Sequence, residues 1–542
     1  MKKILFTLLF LPSILLSGSF PQTSIIKVQA YLKSNSFSTS IWNTGIFNQN
    51  VNFENSPSLQ WHDNSGKFLG LSAGLCIGAY FNGELRLANA TYKGEFSPGY
   101  IINSSVPYAK TSESFHLYKV SKGDNASNNP DYMYWYLMTE LGAPYNDVNN
   151  NGIYDIGIDS PGVKNAAQTI FVCLTDGFLA NHSISEGFSG GTAPLFADIH
   201  LTAWVYDIPG YEDIQFIKYV VLNKSLVEWK KTYFSMFMNP QIGDSLDDYV
   251  GCDTIRRLGY AYNKDNNDGT GQGNSYGAAP PAVGIKLLDQ NDGLSMTSFH
   301  YVIPEQIEPS PPCEEFPYTP LEAYNLMRGY KKDNTPWLDP TASPPKATKF
   351  TFPGDPETGS GWTEYTGVID NCFGSTSGQV TPNYSNRRTF LMSSGSDSYS
   401  VPCPSYIQFQ YAQLVARGTD NKNSVTKLKL LADKAQNFYE HGFIIGITPV
   451  STEIPDKFSL FQNYPNPFNP STKIKFEIAK SDFVNLTVFD LSGKIVEELV
   501  NEKLNEGVYE VNFTAKNISS GIYFYRLSTD NFTQTNRMIL VK

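Results

Sequence analysis

The sequence is poor in charge, in histidine and in the spacings that hold transition metals. Only 17% of its 542 residues are Asp, Glu, Lys or Arg. Its six histidines, His62, His116, His182, His200, His300 and His441, are scattered, and no HExxH sets two of them on one helix face. Its six cysteines, Cys76, Cys173, Cys252, Cys313, Cys372 and Cys403, form no CxxC and no Cys/His pattern of a zinc site. After the first twenty residues no apolar run approaches the roughly 20 residues that span a bilayer as a helix. These absences set aside zinc chemistry and an integral membrane protein.

Turn formers and sheet formers are abundant. With 33 Tyr, 35 Phe, 42 Gly and 33 Pro, the composition is that of an aromatic-rich β protein. The opening MKKILFTLLFLPSILLSGS has the charged start, apolar run and small residues of a secretory signal peptide, expected over residues 1–19. From Phe20 to Pro455 there are 29 basic and 42 acidic residues, a net charge of −13, while Asp456 to Lys542 is neutral. An acidic body disfavours nucleic acid and anionic membranes and is compatible with divalent cations. Export permits disulfides. Cys76 and Cys173 lie in apolar runs as buried thiols do, whereas Cys313, Cys372 and Cys403 lie in loops, where one disulfide is expected without the pairing being fixed.

Most of the body alternates as strands. Gln215 to Asn239 reads as two strands joined at Asn223-Lys224-Ser225, Ala197 to Ile208 as one strand, and Gly66 to Tyr92 as a hairpin turning at Asn82-Gly83. One amphipathic helix stands out late, with Val425, Leu428, Leu431, Ala432, Ala435, Phe438 and Tyr439 on a stripe, a cap at Asn423 or Ser424, and Gly442 as its stop. Residues 448–456 read as a linker. Six period-two segments follow it, with turns at Asp490-Leu491-Ser492-Gly493 and at Ser519-Ser520-Gly521 whose glycines are expected at positive φ. YPNPFNP, with Pro465, Pro467 and Pro470, reads as a stiff, non-pairing collar on the first of them. The expected fold is all-β: a large multi-sheet β-sandwich body over residues 20–447, as one or two domains, and a small C-terminal sandwich.

FQNYPNPFNPSTKIKFEI, VNLTVFDLSGKIVEELV and SSGIYFYRLSTDNFTQTNRMILVK, in that order, resemble the type A C-terminal sorting domain of the type IX (Por-type) secretion system, over residues 457–542. The resemblance implies an immunoglobulin-like sandwich, read by an outer-membrane translocon and removed by a sortase-like peptidase. It also implies a cargo that is released or attached to surface lipopolysaccharide, hence secreted or on the outer cell surface. The body resembles uncharacterised cargo proteins of the same system, which carries no activity with it.

One segment stands out chemically. In YNDVNNNGIYDIGIDSPG, Asp147, Asn149, Asn151 and Asp155, with the Ile153 carbonyl, fall at EF-hand positions 1, 3, 5, 9 and 7, and Gly152 at position 6. Position 12 is Ile158 where a bidentate Glu belongs, with Asp159 one place late. These six residues are the candidate calcium ligands, a solvated Asx turn being the alternative. Asp244, Asp247, Asp248 and Asp253, and Asp265, Asn267 and Asp268, form two lesser acidic groups. GFSGG and GNSYG fit G-x-S-x-G but lack a strand before and a helix after. Tyr132, Tyr134 and Tyr136 read as one strand face that stacks on sugars or, more plainly, fills a core. The function these readings favour is a non-enzymatic structural or adhesive surface protein, stabilised by calcium. The alternative is a secreted polysaccharide hydrolase or carbohydrate-binding protein.

Overall fold

A computed structural model describes residues 27–541, apart from 53–55, 63–64, 150, 209, 270–273, 289–293, 304–310, 441, 444–447, 452–454, 505, 516–517 and 531. The expected signal peptide lies outside the described residues. The chain forms two compact units, one up to Asp433 and one from Lys434 onward.

Two antiparallel sheets dominate the first unit. One runs, in spatial order, Gln29–Lys33, Phe37–Trp42, Leu59–Trp61, Phe68–Phe81, Trp229–Pro240, Thr389–Gly395 and Ser298–Val302, and Glu84–Asn89 also pairs with Phe68–Phe81. The other runs Asp248–Asp253, Leu258–Asn263, Ala282–Leu287, Ser405–Ala416, Ile214–Asn223, Ala197–Val205, Gln168–Thr175 and Ser97–Pro98, with Tyr118–Ser121 also on Gln168–Thr175. The two predicted strands around Asn223-Lys224-Ser225 exist but enter different sheets. Side chains alternate across each strand. Leu75, Ile77, Phe234, Met236 and Met238 of one sheet therefore meet Val172, Ile199, Val221 and Phe409 of the other in one buried core. The Phe234 and Phe409 rings lie 4.9 Å apart.

The outer face of Phe68–Phe81 carries Gly74, Cys76 and Gly78 instead of bulky groups. A Cβ on Gly74 would lie 2.1 Å from the Ala90 carbonyl oxygen, so only glycine lets the returning chain seal against the strand. A helix the sequence reading missed, Pro320–Met327, packs near Gly78 with Ala323, Tyr324, Leu326 and Met327 buried. Thr319 and Glu322 form its capping box and Pro320 opens it. The excursion that contains it is fastened by the Cys313–Cys372 disulfide, which resolves the open pairing. Buried ion pairs of Lys331 with Glu314 (2.7 Å) and of Arg388 with Glu364 (3.1 Å) lie nearby in sequence. Cys76, Cys173 and Cys252 are buried free thiols.

The expected late helix is present as Asn421–Glu440. Its cap is Asp420, whose carboxylate accepts the Asn423 N–H at 2.8 Å, and not Asn423 or Ser424. Asp420 sits three residues ahead of the N–H it satisfies, the geometry an N-cap needs. Val425, Leu428, Ala432, Ala435 and Phe438 are buried as the stripe requires, while Leu431 and Tyr439 are half-buried. Gly442 follows at φ +66°.

All six predicted strands of the second unit are present. One sheet is ordered Thr448–Ser451, Gly507–Thr514, Ser471–Ile478 and Ser459–Leu460, the other Ile495–Leu504, Asp482–Phe489, Gly521–Ser528 and Thr533–Leu540. Ile474, Phe476, Val484, Leu486, Val511, Phe513, Tyr525 and Leu527 fill the space between them. Thr448–Ser451, inside the expected linker, is thus an edge strand, its Thr448 opposite Glu510. Gly493 has φ +82° as its turn demands, whereas Gly521 has no positive φ and opens a strand. The collar is not free of pairing either. Tyr464 and Lys473 exchange N–H···O bonds at 2.9 and 3.0 Å, and Phe468 donates to Ile539 and accepts from Val541. The prolines cannot donate, but the residues between them can.

Candidate functional site

The Asx-rich loop is closed at its base by antiparallel pairing of Tyr145–Asn146 with Ser160–Pro161. It is tied down where the Trp135 indole N–H and the Gly162 N–H both donate to the Pro144 carbonyl. Gly152 takes φ +77°, the sharp turn the spacing called for. Asp147 accepts the N–H of Asn151 at 3.2 Å and of Gly152 at 2.7 Å. The side-chain amides of Asn149 and Asn151 both donate to Asp155 Oδ2, at 2.8 and 2.6 Å. Asp159, only 2% exposed, accepts from Val148 and Asp155 N–H, each at 2.8 Å, and so braces the two limbs. The loop thus brings Asp147, Asn149, Asn151 and Asp155 together and places Asp159 behind them. The Ile153 side chain points out, 66% exposed, while its N–H donates to Asn151 Oδ1.

These groups offer oxygen donors with no competing sulfur or imidazole, the set that suits a hard cation. Rotating each amide half a turn replaces Nδ2 by Oδ1 beside Asp155. Asp155 Oδ2 would then face an amide oxygen at the 2.8 Å and at the 2.6 Å that now separate it from the two amide nitrogens, a spacing that a shared hard cation can bridge. The turn costs the bonds that Asn149 Oδ1 and Asn151 Oδ1 now accept, from Asn151 N–H and Ile153 N–H. The Tyr145 phenol at the base is pushed above its ordinary range by desolvation, then by the charges of Asp147, Asp159 and Asp155. The donor set fits calcium.

The two lesser acidic groups converge on each other, which spacing did not reveal. Asp268 accepts the Asp244 N–H at 2.8 Å, and Asp247 accepts the Asn263 amide at 2.8 Å. Asp248 is wholly buried and accepts the Ile242 N–H at 3.2 Å, Asp265 caps Asn267, and Asp253 pairs with Arg256. Burial, aided by Asp268 and Asp244, pushes Asp247 up to about 6. Most of these carboxylates cap backbone N–H groups. Among the His, Cys, Asp and Glu side chains of the described residues, Cys313, Asp370 and Cys372 are the trio within metal-binding reach of one another, and their two sulfurs form the disulfide.

The serine matches are turns. The Ser189 hydroxyl, 6% exposed, donates to the Pro317 carbonyl at 2.9 Å, and a Cβ on Gly190 would lie 2.4 Å from Glu95 Oε1. Close packing on a buried carboxylate accounts for that glycine. The Ser275 hydroxyl donates to the Asp268 carbonyl. The expected tyrosine strand is instead two short helices, Pro130–Tyr134 and Tyr136–Thr139. Asn129 caps the Asp131 N–H and Pro130 takes the first position, a helix start that outweighs the alternation. Residues two apart on a helix do not share a face, so the three tyrosines do not form the row expected of a strand. Trp135 is buried, and Tyr134 and Tyr136 are 44% and 41% exposed.

Residues 462–542 match the secretion system C-terminal sorting domain. No curated protein matches the chain. Among solved structures, a polysaccharide lyase is 7% identical over 64% of this chain and 34% of its own, with a TM-score of 0.18. The chain thus spans about a third of that enzyme's length. PorZ, described as an essential bacterial surface component of the type-IX secretion system of Porphyromonas gingivalis, is 9% identical over 95% of this chain and 75% of its own, with a TM-score of 0.13. At these TM-scores neither likeness bears on fold or activity. No helix among the described residues is long and apolar enough to cross a membrane.

Proposed function

Given that the chain is a type IX secretion cargo delivered to the cell surface or the exterior by its C-terminal sorting domain, we propose that its body is a non-enzymatic structural or adhesive protein stabilised by calcium. Residues 1–19 act as the signal peptide, residues 20–447 as the cargo and residues 457–542 as an immunoglobulin-like address. The translocon reads that address, and a sortase-like peptidase removes it when the cargo is shed or joined to lipopolysaccharide.

The observation that carries this reading is the oxygen-lined loop. Asp147, Asn149, Asn151 and Asp155 would hold the ion together with the Ile153 carbonyl, Asp159 keeping the limbs in place. A bound divalent cation would replace the amide bonds to Asp155 by a fixed centre, stiffening a surface loop outside the cell. A second reading, glycan binding, draws on Tyr134 and Tyr136, whose rings are two-fifths exposed near the same loop in sequence.

The deciding assay incubates the whole secreted chain with a panel of surface and plant polysaccharides in calcium. Reducing ends and unsaturated products are measured alongside retention on the immobilised glycans. The structural reading expects no product above the uncatalysed rate. Sustained turnover of any polysaccharide would overturn it, and saturable retention without turnover would transfer the conclusion to glycan binding.

A further inference from the structure

Between the strands Gln168–Thr175 and Ala197–Val205 the chain makes an excursion, residues 176–196, that carries the GFSGG match and the exposed Leu179 and Ile184. Its inner side carries Asp176, Glu186 and the fully buried side chain of His182, and Glu95 faces them from outside it, each of the three carboxylates at most 1% exposed. The carboxylates stitch the excursion to its surroundings. Glu186 accepts the N–H of Thr91 at 2.7 Å, the N–H of Tyr92 at 3.0 Å and the Thr91 hydroxyl. Glu95 accepts the N–H of Asn89 and of Gly191, both at 2.9 Å. Asp176 accepts from Leu195 at 2.6 Å and Ala197 at 2.7 Å.

His182 is the odd member. Its Nε2 lies 2.7 Å from the Asp176 carbonyl oxygen, so that nitrogen carries a proton and donates it. Its Nδ1 has no hydrogen-bond partner and faces Glu95 Oε1 at 3.5 Å. A bare ring nitrogen and a carboxylate oxygen are both acceptors, and without water between them they repel unless a proton sits there. We propose that one proton shared by Glu95 and His182 latches residues 176–196 to the sheet, and that its loss on alkalinisation frees the excursion while the sandwich stays folded.

The surrounding charges do not supply a substitute. Asp176 Oδ2 lies 3.8 Å from Nε2. Glu186, Cys76, Tyr92 and Asp198 are the other titratable groups facing the cluster, and all are acids. Of the nearby cations, Arg86 is engaged by Glu84 at 2.9 Å and the Pro194 carbonyl at 2.6 Å, and Lys224 acts on Asp198. Burial, with Glu186 adding, pushes Glu95 up to about 9, and burial raises Asp176 and Glu186 as well. Every shift has the same sign: the closed excursion holds more protons than the open one, so its stability is full at low pH and is lost as pH rises. Opening therefore becomes about tenfold more frequent per pH unit as the pH rises towards about 9 and then levels off.

Hydrogen exchange of the full chain, read by mass spectrometry from pH 6 to 10 and corrected for intrinsic rates, tests this. Peptides covering 176–196 are expected to show that slope and those from Ile214–Asn223 to lack it. Glu95→Gln, whose amide carries no titrating proton and brings an N–H to Nδ1 at the expense of the bond from the Gly191 N–H, is expected to flatten the slope below pH 9. Constant protection of 176–196 in the natural chain overturns the latch, as does an unchanged slope in Glu95→Gln. Should that variant fail to fold, the natural chain's profile decides alone.

Discussion

Asp155→Asn is the most informative single change in the Asx-rich loop, because Asp155 is the residue on which Asn149 and Asn151 both close. If calcium binds only the folded protein, then at about 100 times its dissociation constant it adds roughly 2.7 kcal/mol. The first unit comprises about 400 described residues. At about 2.1 cal/mol/K per residue its unfolding entropy is roughly 0.8 kcal/mol/K, so the calcium term raises its midpoint by about 3 °C. Without calcium, the substitution weakens two exposed hydrogen bonds to one charged oxygen, together about 1 kcal/mol or 1 °C. Differential scanning calorimetry of the whole chain, in millimolar calcium and then in excess chelator, should separate the two terms. The expected pattern is a calcium shift of about 3 °C in the natural protein, none in Asp155→Asn, and little difference between them in chelator. A shift that survives both Asp155→Asn and Asp147→Asn would place the ion elsewhere. No shift in the natural protein would reduce the loop to a turn and refute the calcium reading.

Three further outcomes follow from the packing. Gly74→Ala sets a methyl where the Ala90 carbonyl stands and must also stretch the Ala90 N–H···O Leu75 bond; it should cost about 2–4 kcal/mol in urea unfolding, and a cost under 1 would contradict the close approach. Arg388→Met leaves Glu364 buried without its cation and should cost about 3–5 kcal/mol, most of it recovered in Arg388→Met/Glu364→Gln. A double-variant cost equal to the sum of the two single-variant costs would show that the pair is not coupled. Replacing Cys313 and Cys372 by serine releases a 59-residue loop, worth about 4 kcal/mol on the loop-entropy model. Protease sensitivity between those positions should rise first, and an unchanged digestion pattern would show the disulfide to be dispensable.

What the sequence showed in advance was whatever rests on local pattern. Alternation located the strands of both units, Asn82-Gly83 turned the hairpin with both residues at positive φ, and the stripe from Val425 to Phe438 announced its helix. Pro320–Met327 escaped because five of its eight residues are buried, which leaves no polar face to set a period. Tyr132, Tyr134 and Tyr136 misled because alternation of large rings looks like a strand until the Asn129-Pro130 start is weighed. The loop ligands were legible since they follow one another in the chain. Glu95 with His182, and Asp244 with Asp268, are 87 and 24 positions apart, and only the sheet topology brings them together.

The bond from Phe468 to Ile539 has a consequence for how the address is displayed. The Pro-rich opening of the sorting domain is held by residues more than seventy positions later, with Val541 donating back to Phe468. A chain interrupted between Pro470 and Ile539 carries the opening motif yet lacks the residues that hold it. The two ends of the domain therefore hold one another, and the opening keeps its presented form only while the late strand is there.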